Sequence, residues 1–357
     1  MIRNLATVTL TTPLGADFYR DKAGYERVIQ RVFADSWQFL AGPECAVLPM
    51  TVMPVTLLQG SLNEPLLLSK DKDGQEHILS NVCTHRGNIL VEKPGPMRQL
   101  VCRYHARCFG LDGTCLRQPG LDKVTDFPDV RDHLPRPAKD SWAGLRFVRL
   151  QEGESFAEWI APLIERTGFL PWDTLHHLPD QSRDYQVNAH WALYCDNYLE
   201  GLHIPFVHPA LRDALDLQSY PIHTFPSGSV QIGLAKAGEP AFDLPPDHPD
   251  AGLRVYGWYF WLFPNIMFNI YPWGLSLNIV EPLGPDLTRI RFLAYAFEQA
   301  SGGPDSHALH DTELEDEDVV EQVHRGTSSL LYQHGRLVPE WEKGVVHFHR
   351  LLMDRMR

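Results

Sequence analysis

The sequence predicts an α+β fold with two domains: a small β-rich domain, then a larger one that packs helices on an antiparallel sheet. Residues 37 to 150 gather short β-like segments and tight-turn signals such as Leu111-Asp-Gly-Thr114. Helical stretches around 191 to 203 and 310 to 334 flank aromatic strands near 255 to 298. With 357 residues, 44% apolar and 22% charged, the chain has the composition of a globular protein and can bury such a core.

Charge and hydropathy argue against two classes of partner. The formal net charge of −13 argues against binding to nucleic acid. The apolar stretch from Val255 to Leu275 contains Pro264 and Pro272, so we expect two strands with a turn at Phe263-Pro264-Asn265 and no membrane span. The first residues lack the regions of a secretory signal, and we expect a cytoplasmic protein.

Two short motifs predict a metal centre in the β-rich domain. Cys83-x-His85 is followed, after sixteen residues, by Cys102-x-x-His105, so each motif supplies one thiolate and one imidazole. Turn-rich sequence around the motifs places the four side chains on two loops. Zinc sites usually group their ligands as a cysteine pair and a histidine pair, whereas a Rieske [2Fe-2S] centre takes two cysteines on one iron and two histidines on the other.

The two motifs, Cys83-Thr-His85-Arg-Gly and Cys102-Arg-Tyr-His105, resemble the ligand boxes of Rieske proteins, which implies a [2Fe-2S] cluster on these four residues. Arg107 departs from the pattern, because many oxygenases of the family have tryptophan two residues after the second histidine. The departure concerns local packing or a partner contact rather than ligation. Further along, Cys108 and Cys115 flank a turn, and we expect free thiols there in a reducing compartment.

A second group of residues predicts a mononuclear iron site. Glu200 and His203 share a face of a predicted helix that begins at Trp191, and His208 follows five residues later. Convergence of the two histidines on one metal requires a break in the helix, which Pro205 supplies. Two histidines and one carboxylate leave positions open for oxygen on a non-haem iron.

The third ligand of this iron is expected in the acidic helix near the C-terminus. Periodicity places Asp316 on one face with Val320, Val323, Thr327 and Leu330, which makes it the inward-pointing acid. The neighbouring acids, Glu313, Glu317 and Asp318, instead fit a solvent-exposed helix N-terminus.

The order of these motifs resembles the α subunits of Rieske-type non-haem iron oxygenases over nearly the whole chain. The resemblance implies a Rieske domain over 37–150, a helix-grip (START-like) catalytic domain over 151–357, and a segment 1–36 that packs on the catalytic domain. It implies mononuclear Fe(II), O2, and electrons that come from NAD(P)H through a flavin/iron-sulfur reductase or a ferredoxin. It also implies a homotrimer or a higher multiple of three.

In this family, the acid three residues before the first iron histidine links a neighbouring subunit's cluster histidine to the iron histidine. Glu200 occupies that position, Asn197 is expected near the iron, and Asp196 is the competing candidate for the bridge. Aspartate is the commoner residue there. The longer glutamate resembles the branch that acts on quaternary ammonium compounds such as carnitine and choline.

Several interpretations of substrate and class stay open. Hydroxylation of an N-methyl carbon leads to demethylation or C–N cleavage, whereas an aromatic substrate would make the chain a ring-hydroxylating dioxygenase or monooxygenase. The aromatic strands, 256–263 and 266–273, are expected to be mainly core, with a minority of rings that cage a cation. A Rieske electron-transfer protein and a zinc-stabilised binding protein are the alternatives from other classes.

Overall fold

The computed structural model describes residues 14–298 and 306–357, so residues 1–13 of the predicted N-terminal segment lie outside the described part. Contacts divide the chain into two compact units. The small unit comprises Trp37–Glu152, and the large unit comprises the segment up to Ser36 together with Gly153–Arg357.

The small unit is built from short antiparallel strands, because its turns follow one another at close intervals. Its strands are β1 (Gln38–Ala41), β2 (Thr51–Leu57), β3 (Glu64–Lys70), β4 (Glu76–Ser80), β5 (Gly95–Pro96), β6 (Leu100–Val101), β7 (Cys108–Phe109), β8 (Cys115–Arg117), β9 (Ala138–Trp142) and β10 (Leu145–Arg149). They form three sheets with the orders β1-β10-β9, β4-β3-β2-β5 and β6-β7-β8.

One buried apolar cluster anchors the motif-bearing loops of the small unit. Leu67, Leu79 and Leu100 are fully buried and pack in a cluster that also contains Cys83 and Cys102. Burial of a side chain of this size contributes roughly 1.5–3 kcal/mol. The loops therefore rest on a core that fixes the positions of both cysteines.

The large unit alternates helices with long strands. Its helices are α1 (Ala16–Arg20), α2 (Lys22–Val28), α3 (Phe156–Thr167), α4 (Trp191–Tyr198), α5 (Ile204–Val207), α6 (Pro209–Ala214), α7 (Ser306–Thr327) and α8 (Lys343–Met356). Its strands are β11 (His176–His177), β12 (Arg183–Val187), β13 (Ile222–Phe225), β14 (Gly228–Leu234), β15 (Val255–Leu262), β16 (Ile266–Tyr271), β17 (Gly274–Gly284) and β18 (Leu287–Ala296).

Strands β13 to β18 follow one another as antiparallel hairpins in one sheet, and β11 and β12 both pair with β18. The predicted strands and their turn at Phe263-Pro264-Asn265 are confirmed, because β15 ends at Leu262 and β16 begins at Ile266. Helices α4, α7 and α8 pack together and against this sheet. The predicted α+β class is therefore confirmed. In the described ranges, no helix has both the length and the apolar character needed to cross a membrane.

Two helices end earlier than predicted. Helix α4 ends at Tyr198 instead of 203, because the Glu200 side chain accepts the backbone N–H groups of Leu202 and His203 and stabilises a turn there. Helix α7 ends at Thr327 instead of 334, where Gly326 and two serines have low helix propensity.

Pro205 does not supply the predicted break. It lies in the first turn of α5, a position that tolerates proline because the N–H there has no partner within the helix. The chain has already left the helix after Tyr198, and it turns again at His208 between α5 and α6.

Candidate functional site

The first candidate site lies in the small unit, where two loops repeat one backbone geometry. The N–H of Gly87 bonds the carbonyl of Cys83 at 3.0 Å, and the N–H of Ala106 bonds that of Cys102 at 2.9 Å. Gly87 and Ala106 both have left-handed backbones, with φ of 73° and 55°. Four residues after each cysteine, the chain therefore makes the same turn, and glycine is the residue that adopts it without strain.

The donor atoms of this site fit a Rieske cluster. The rings of His85 and His105 lie 4.7 Å apart between centroids, and both Nδ1 atoms are buried without a hydrogen-bond partner. Burial of a ring nitrogen without a hydrogen-bond partner costs free energy. A metal ion that binds the lone pair of this nitrogen removes that cost. Cys83 and Cys102 supply two buried thiols. Two imidazoles and two thiols are the donor set of a Rieske centre.

The surroundings act differently on the two thiols. Burial raises the pKa of the Cys83 thiol. Burial is the largest influence on the Cys102 thiol and acts upward, but hydrogen bonds from the N–H groups of Tyr104 and His105 and from the side chains of Cys83 and Asn88 together lower its pKa. Such N–H groups stabilise the thiolate that an iron ion requires. Cys108 and Cys115 are free thiols, as expected.

Arg107 is built into the packing of both loops. Its guanidinium donates to Thr84 Oγ1 at 2.9 Å and to Gln118 Oε1 at 2.5 Å, and it pairs with Asp132 Oδ1 at 3.2 Å. The cation lies over the ring of Phe127, 5.5 Å from its centroid. Arg107 is only 4% exposed, so the departure from the family's tryptophan places a buried charge here.

The second candidate site lies in the large unit and brings His203, His208 and Asp316 together. His208 Nε2 lies 3.1 Å from His203 Nε2 and 3.0 Å from Asp316 Oδ1, and His203 Nε2 lies 3.6 Å from the same oxygen. Donor atoms that bind one ion at roughly 2.1 Å in adjacent positions lie about 3 Å apart. The three side chains can therefore hold one metal ion.

Carboxylates hold the outer nitrogens of both histidines. Glu200 Oε1 lies 2.5 Å from His203 Nδ1, and Glu315 Oε2 lies 2.8 Å from His208 Nδ1. If each Nδ1–H donates to its carboxylate, both Nε2 atoms carry lone pairs. Two lone pairs that face each other beside Asp316 repel unless a cation lies among them, so the donor set fits a metal ion.

Glu315 is a residue of the site that the sequence did not reveal. It lies in a run of acids whose usual role is solvation, and helical periodicity does not place it on the inward face. Although burial acts against it, the carboxylates of Asp316 and Glu315 raise the pKa of His208. Glu315 therefore acts on the metal site through His208.

Asn197 and Asp196 are neighbours on α4 with different partners. Asn197 Nδ2 donates to Asp316 Oδ1 at 2.5 Å, so Asn197 reaches a carboxylate of the metal site. Asp196 instead accepts the hydroxyl of Tyr19 at 2.7 Å and bonds His349 Nε2 at 2.8 Å. Both oxygens of Asp196 are thus used by α1 and α8, which leaves Glu200 as the acid on His203.

A cavity of about 110 Å³ opens beside the second site. Five tyrosine rings line it, namely Tyr194, Tyr198, Tyr220, Tyr259 and Tyr271, together with the acids Glu200, Glu313 and Asp316. Of the described residues that line the cavity, none is lysine or arginine. As predicted, most rings of the aromatic strands are core, such as Trp258, Trp261 and Phe268, and a minority line the cavity.

Glu313 corrects a prediction, because it is buried instead of facing solvent. Its side chain accepts the hydroxyl of Tyr194 at 2.7 Å, and only 3% of the residue is exposed. Burial raises the pKa of Glu313 well above its ordinary value. The residue lies one turn before Asp316, so the inward face of α7 begins earlier than the predicted one.

Two family models match the chain. The model for the "Ring hydroxylating alpha subunit (catalytic domain)" matches residues 173–357, and the model for the "Rieske [2Fe-2S] domain" matches residues 51–128. The first match covers the second candidate site. The second match covers the loops of the first site.

Curated relatives align over almost the entire chain. A chloroplastic choline monooxygenase from Arabidopsis thaliana is 27% identical over 96% of this chain and 82% of its own length. A carnitine monooxygenase oxygenase subunit from Escherichia coli is 28% identical over 94% of this chain and 92% of its own length.

Solved structures share the fold. A quaternary ammonium Rieske monooxygenase in complex with an inhibitor has a TM-score of 0.76 at 22% identity, over 98% of this chain and 96% of that one. A naphthalene 1,2-dioxygenase from Rhodococcus sp. bound to indole has a TM-score of 0.74 at 18% identity, over 96% and 94%. Both kinds of substrate are thus found on one fold, and the fold alone does not choose between them.

Proposed function

Because the chain belongs to the ring-hydroxylating α-subunit family, it is the oxygenase component of a Rieske non-haem iron system, and we propose that its substrate is a small ammonium compound. Its cofactors are a [2Fe-2S] cluster and a mononuclear iron, and it uses O2 and electrons from a reductase or ferredoxin.

The lining of the cavity is the observation that carries the proposal. Five tyrosine rings and three acids surround the space, and the described lining contains no lysine or arginine. A cationic ammonium group gains about 0.5–2 kcal/mol against an aromatic face, and more from the nearby negative charge. The carboxylate of an aromatic acid would instead be buried among acids without a partner, which is unfavourable.

The same lining favours choline-like compounds over carnitine-like ones. Carnitine carries a carboxylate as well as its ammonium group, and no lysine or arginine of the described lining would pair with it. Relatives named for choline and for carnitine are about equally similar to this chain, so identity does not decide between them.

We assign the cluster to Cys83, His85, Cys102 and His105. This assignment is supported by the Nδ1 atoms of the two histidines, which are buried without hydrogen-bond partners, and by the two buried thiols. We assign the mononuclear iron to His203, His208 and Asp316, which is supported by their converging donor atoms.

In the proposed mechanism, the bound iron supplies O2 activation for attack on a C–H bond next to nitrogen, and the chain's own residues hold the parts in place. Glu200 and Glu315 fix the orientation of the two histidines, and Asn197 holds Asp316 through its amide. The rings of Tyr259 and Tyr271, which line the cavity, hold the cation beside the metal site. Hydroxylation of an N-methyl carbon gives an N–CH2OH group, which releases formaldehyde and leaves the amine with one methyl group fewer.

We further propose that the chain works as a homotrimer, in which Glu200 connects His203 to a neighbour's cluster. Exposed rings lie beside each metal site: Phe206, in α5 between the two iron histidines, is 82% exposed, and Tyr104, next to His105, is 56% exposed. Large exposed apolar side chains favour burial in an interface. Sedimentation analysis of the purified protein tests the trimer, and a monomer that retains full activity would contradict it.

None of the six cysteines forms a disulfide, and four of them are not assigned to the cluster; this fits a reducing compartment, and we propose a cytoplasmic location on that ground. Fractionation of cells that make the protein at its natural level tests the location. Activity in the cytoplasmic fraction is expected, and recovery with membranes or in an extracytoplasmic fraction would contradict it.

The substrate proposal is tested by reductase-coupled oxygen consumption over a matched panel. Choline is compared with 3,3-dimethylbutan-1-ol, which has the same shape without the charge, and with carnitine, betaine and benzoate. We expect turnover of choline and little or none of the neutral isostere. Coupled turnover of benzoate, with formation of a hydroxylated ring, would overturn the proposal.

Metal analysis tests the site assignments and the alternative classes. About three irons per chain and an EPR signal of a reduced [2Fe-2S] cluster are expected; a simple electron carrier would contain about two irons, and a zinc protein none. Asp316→Ala should remove the mononuclear iron and leave the cluster spectrum intact. Loss of both signals would mean that the assignment of Asp316 is wrong.

A further inference from the structure

We propose that Arg107 raises the reduction potential of the cluster, because it places a permanent positive charge beside the two loops that hold it. The inference rests on the proposed assignment of the cluster to Cys83, His85, Cys102 and His105. The effect is particular to sequences such as this one, because Arg107 stands where many relatives have tryptophan.

Arg107 is tied to both loops by direct bonds. Its guanidinium donates to the hydroxyl of Thr84, which lies between Cys83 and His85 in the first loop. Its own carbonyl accepts the N–H of Cys102 in the second loop at 2.9 Å. The charge is therefore held in a fixed place next to residues of both motifs.

The charge of Arg107 is permanent and shielded from water. Arginine stays protonated at all pH values at which proteins fold, and only 4% of this residue is exposed. One-electron reduction adds one negative charge to the cluster. A fixed positive charge in a medium of low effective dielectric constant stabilises the reduced form more than the oxidised form, which raises the potential.

The ion-pair partner of Arg107 reduces this effect without cancelling it. The side chain of Asp132 is 21% exposed against 5% for that of Arg107, so water screens the carboxylate more. The two charges can be compared at Cys115: burial raises the pKa of this thiol, Arg107 lowers it, and Asp132 raises it by less than Arg107 lowers it. At the position of Cys115, the positive charge thus outweighs its partner.

Three variants of the holoenzyme separate charge from packing. Arg107→Gln keeps a polar side chain and removes the charge, and Arg107→Lys keeps the charge. Asp132→Asn removes the opposing charge. As the matched control, Arg103 lies in the same motif, but its side chain is 70% exposed and pairs with Glu92 at the surface, where charges are well screened.

The midpoint potential of the cluster is the readout, measured by spectroelectrochemical titration of the visible absorption. For Arg107→Gln we expect the equilibrium constant for reduction to fall on the order of tenfold, which is about 59 mV for one electron. Arg107→Lys should stay near the wild type and Asp132→Asn should shift upward. Arg103→Gln should leave the potential unchanged.

A potential of Arg107→Gln equal to that of the wild type would overturn the inference, and so would an equal shift in Arg103→Gln. If Arg107→Gln loses its cluster, the sign of the Asp132→Asn shift decides, because a downward or zero shift contradicts the electrostatic effect. Absence of a [2Fe-2S] spectrum in the wild type would refute the cluster assignment itself, which is a separate failure.

Discussion

Glu315 offers a quantitative test of the metal site, because it touches the metal only through His208. Its carboxylate accepts the Nδ1–H of His208 at 2.8 Å, while the side chain is 37% exposed. Loss of such an outer partner typically weakens metal binding 10–100-fold, or about 1.4–2.7 kcal/mol. The exposure of Glu315 favours the lower end of this range, so we expect about tenfold weaker binding of the mononuclear iron in Glu315→Ala.

Competition with a chelator measures this loss, and the cluster absorption of the same sample serves as the internal reference. Glu315→Gln should bind iron with intermediate affinity, because its amide oxygen still accepts the Nδ1–H without the negative charge. Asp318→Asn is the matched control, since that acid lies in the same run and accepts a hydrogen bond from the exposed Gln322 side chain at 2.6 Å. Equal iron affinity in Glu315→Ala and the wild type would refute the reasoning that the carboxylate orients and strengthens His208.

Three other changes probe the structure around this site. Burial lowers the pKa of His190 to about 3, whereas in the unfolded chain this side chain becomes protonated near pH 6.5, so its contribution to stability is present above pH 6.5 and is lost as the pH falls towards 3. Between pH 7.5 and 5 we expect the free energy of unfolding, measured with urea, to fall by about 2 kcal/mol through this residue, and His190→Gln should lack this loss. An equal dependence of the free energy of unfolding on pH in the variant and the wild type would contradict it. Gly201→Ala would place a Cβ 2.6 Å from a carbon of the Tyr220 ring in the cavity; overpacking of this kind costs about 1–3 kcal/mol, so KM should rise several-fold or Tm should fall, and no change in either would contradict the packing. Asp196→Asn weakens the bonds to α1 and α8, and we expect Tm to fall by a few degrees with the metal content unchanged, whereas loss of iron would show that Asp196 acts on the site directly.

The cluster motifs were predictable because each is short and its chemistry is local. Cys83 and His85 lie two residues apart, and the turn that orients them needs only the next few residues. The consequence of Arg107 could not be predicted in the same way. Its partners Gln118 and Asp132 come from later loops, so the sequence shows a departure from the family's pattern but not that the charge is buried.

The structure brings the three proposed ligands of the mononuclear site together, whereas the acids of α7 that support them were not predicted. Periodicity placed Asp316 on one face with Val320 and Thr327, which are buried, but Val323 of that predicted face is 45% exposed and Leu330 lies beyond the end of α7. The same pattern assigned Glu313 to the solvent face and gave no role to Glu315. One turn of α7 near the metal site carries acids that a periodic pattern cannot distinguish, and only the positions of Tyr194 and His208 show which are engaged.

Glu200 shows why the break after α4 and the orientation of His203 are a single feature. One oxygen of its carboxylate accepts the N–H groups of Leu202 and His203 and ends the helix, and the other bonds His203 Nδ1. Removal of the side chain would therefore disturb the turn and the metal site together, and Glu200→Ala cannot separate the two. Glu200→Gln retains an oxygen that accepts from the turn while it removes the charge that we propose links His203 to a neighbouring cluster. We expect this variant to keep both metals and to accept electrons from the reductase into its cluster at the wild-type rate, but to turn over substrate slowly. An unchanged turnover rate would show that Glu200 is not part of the electron path and serves only to end the helix.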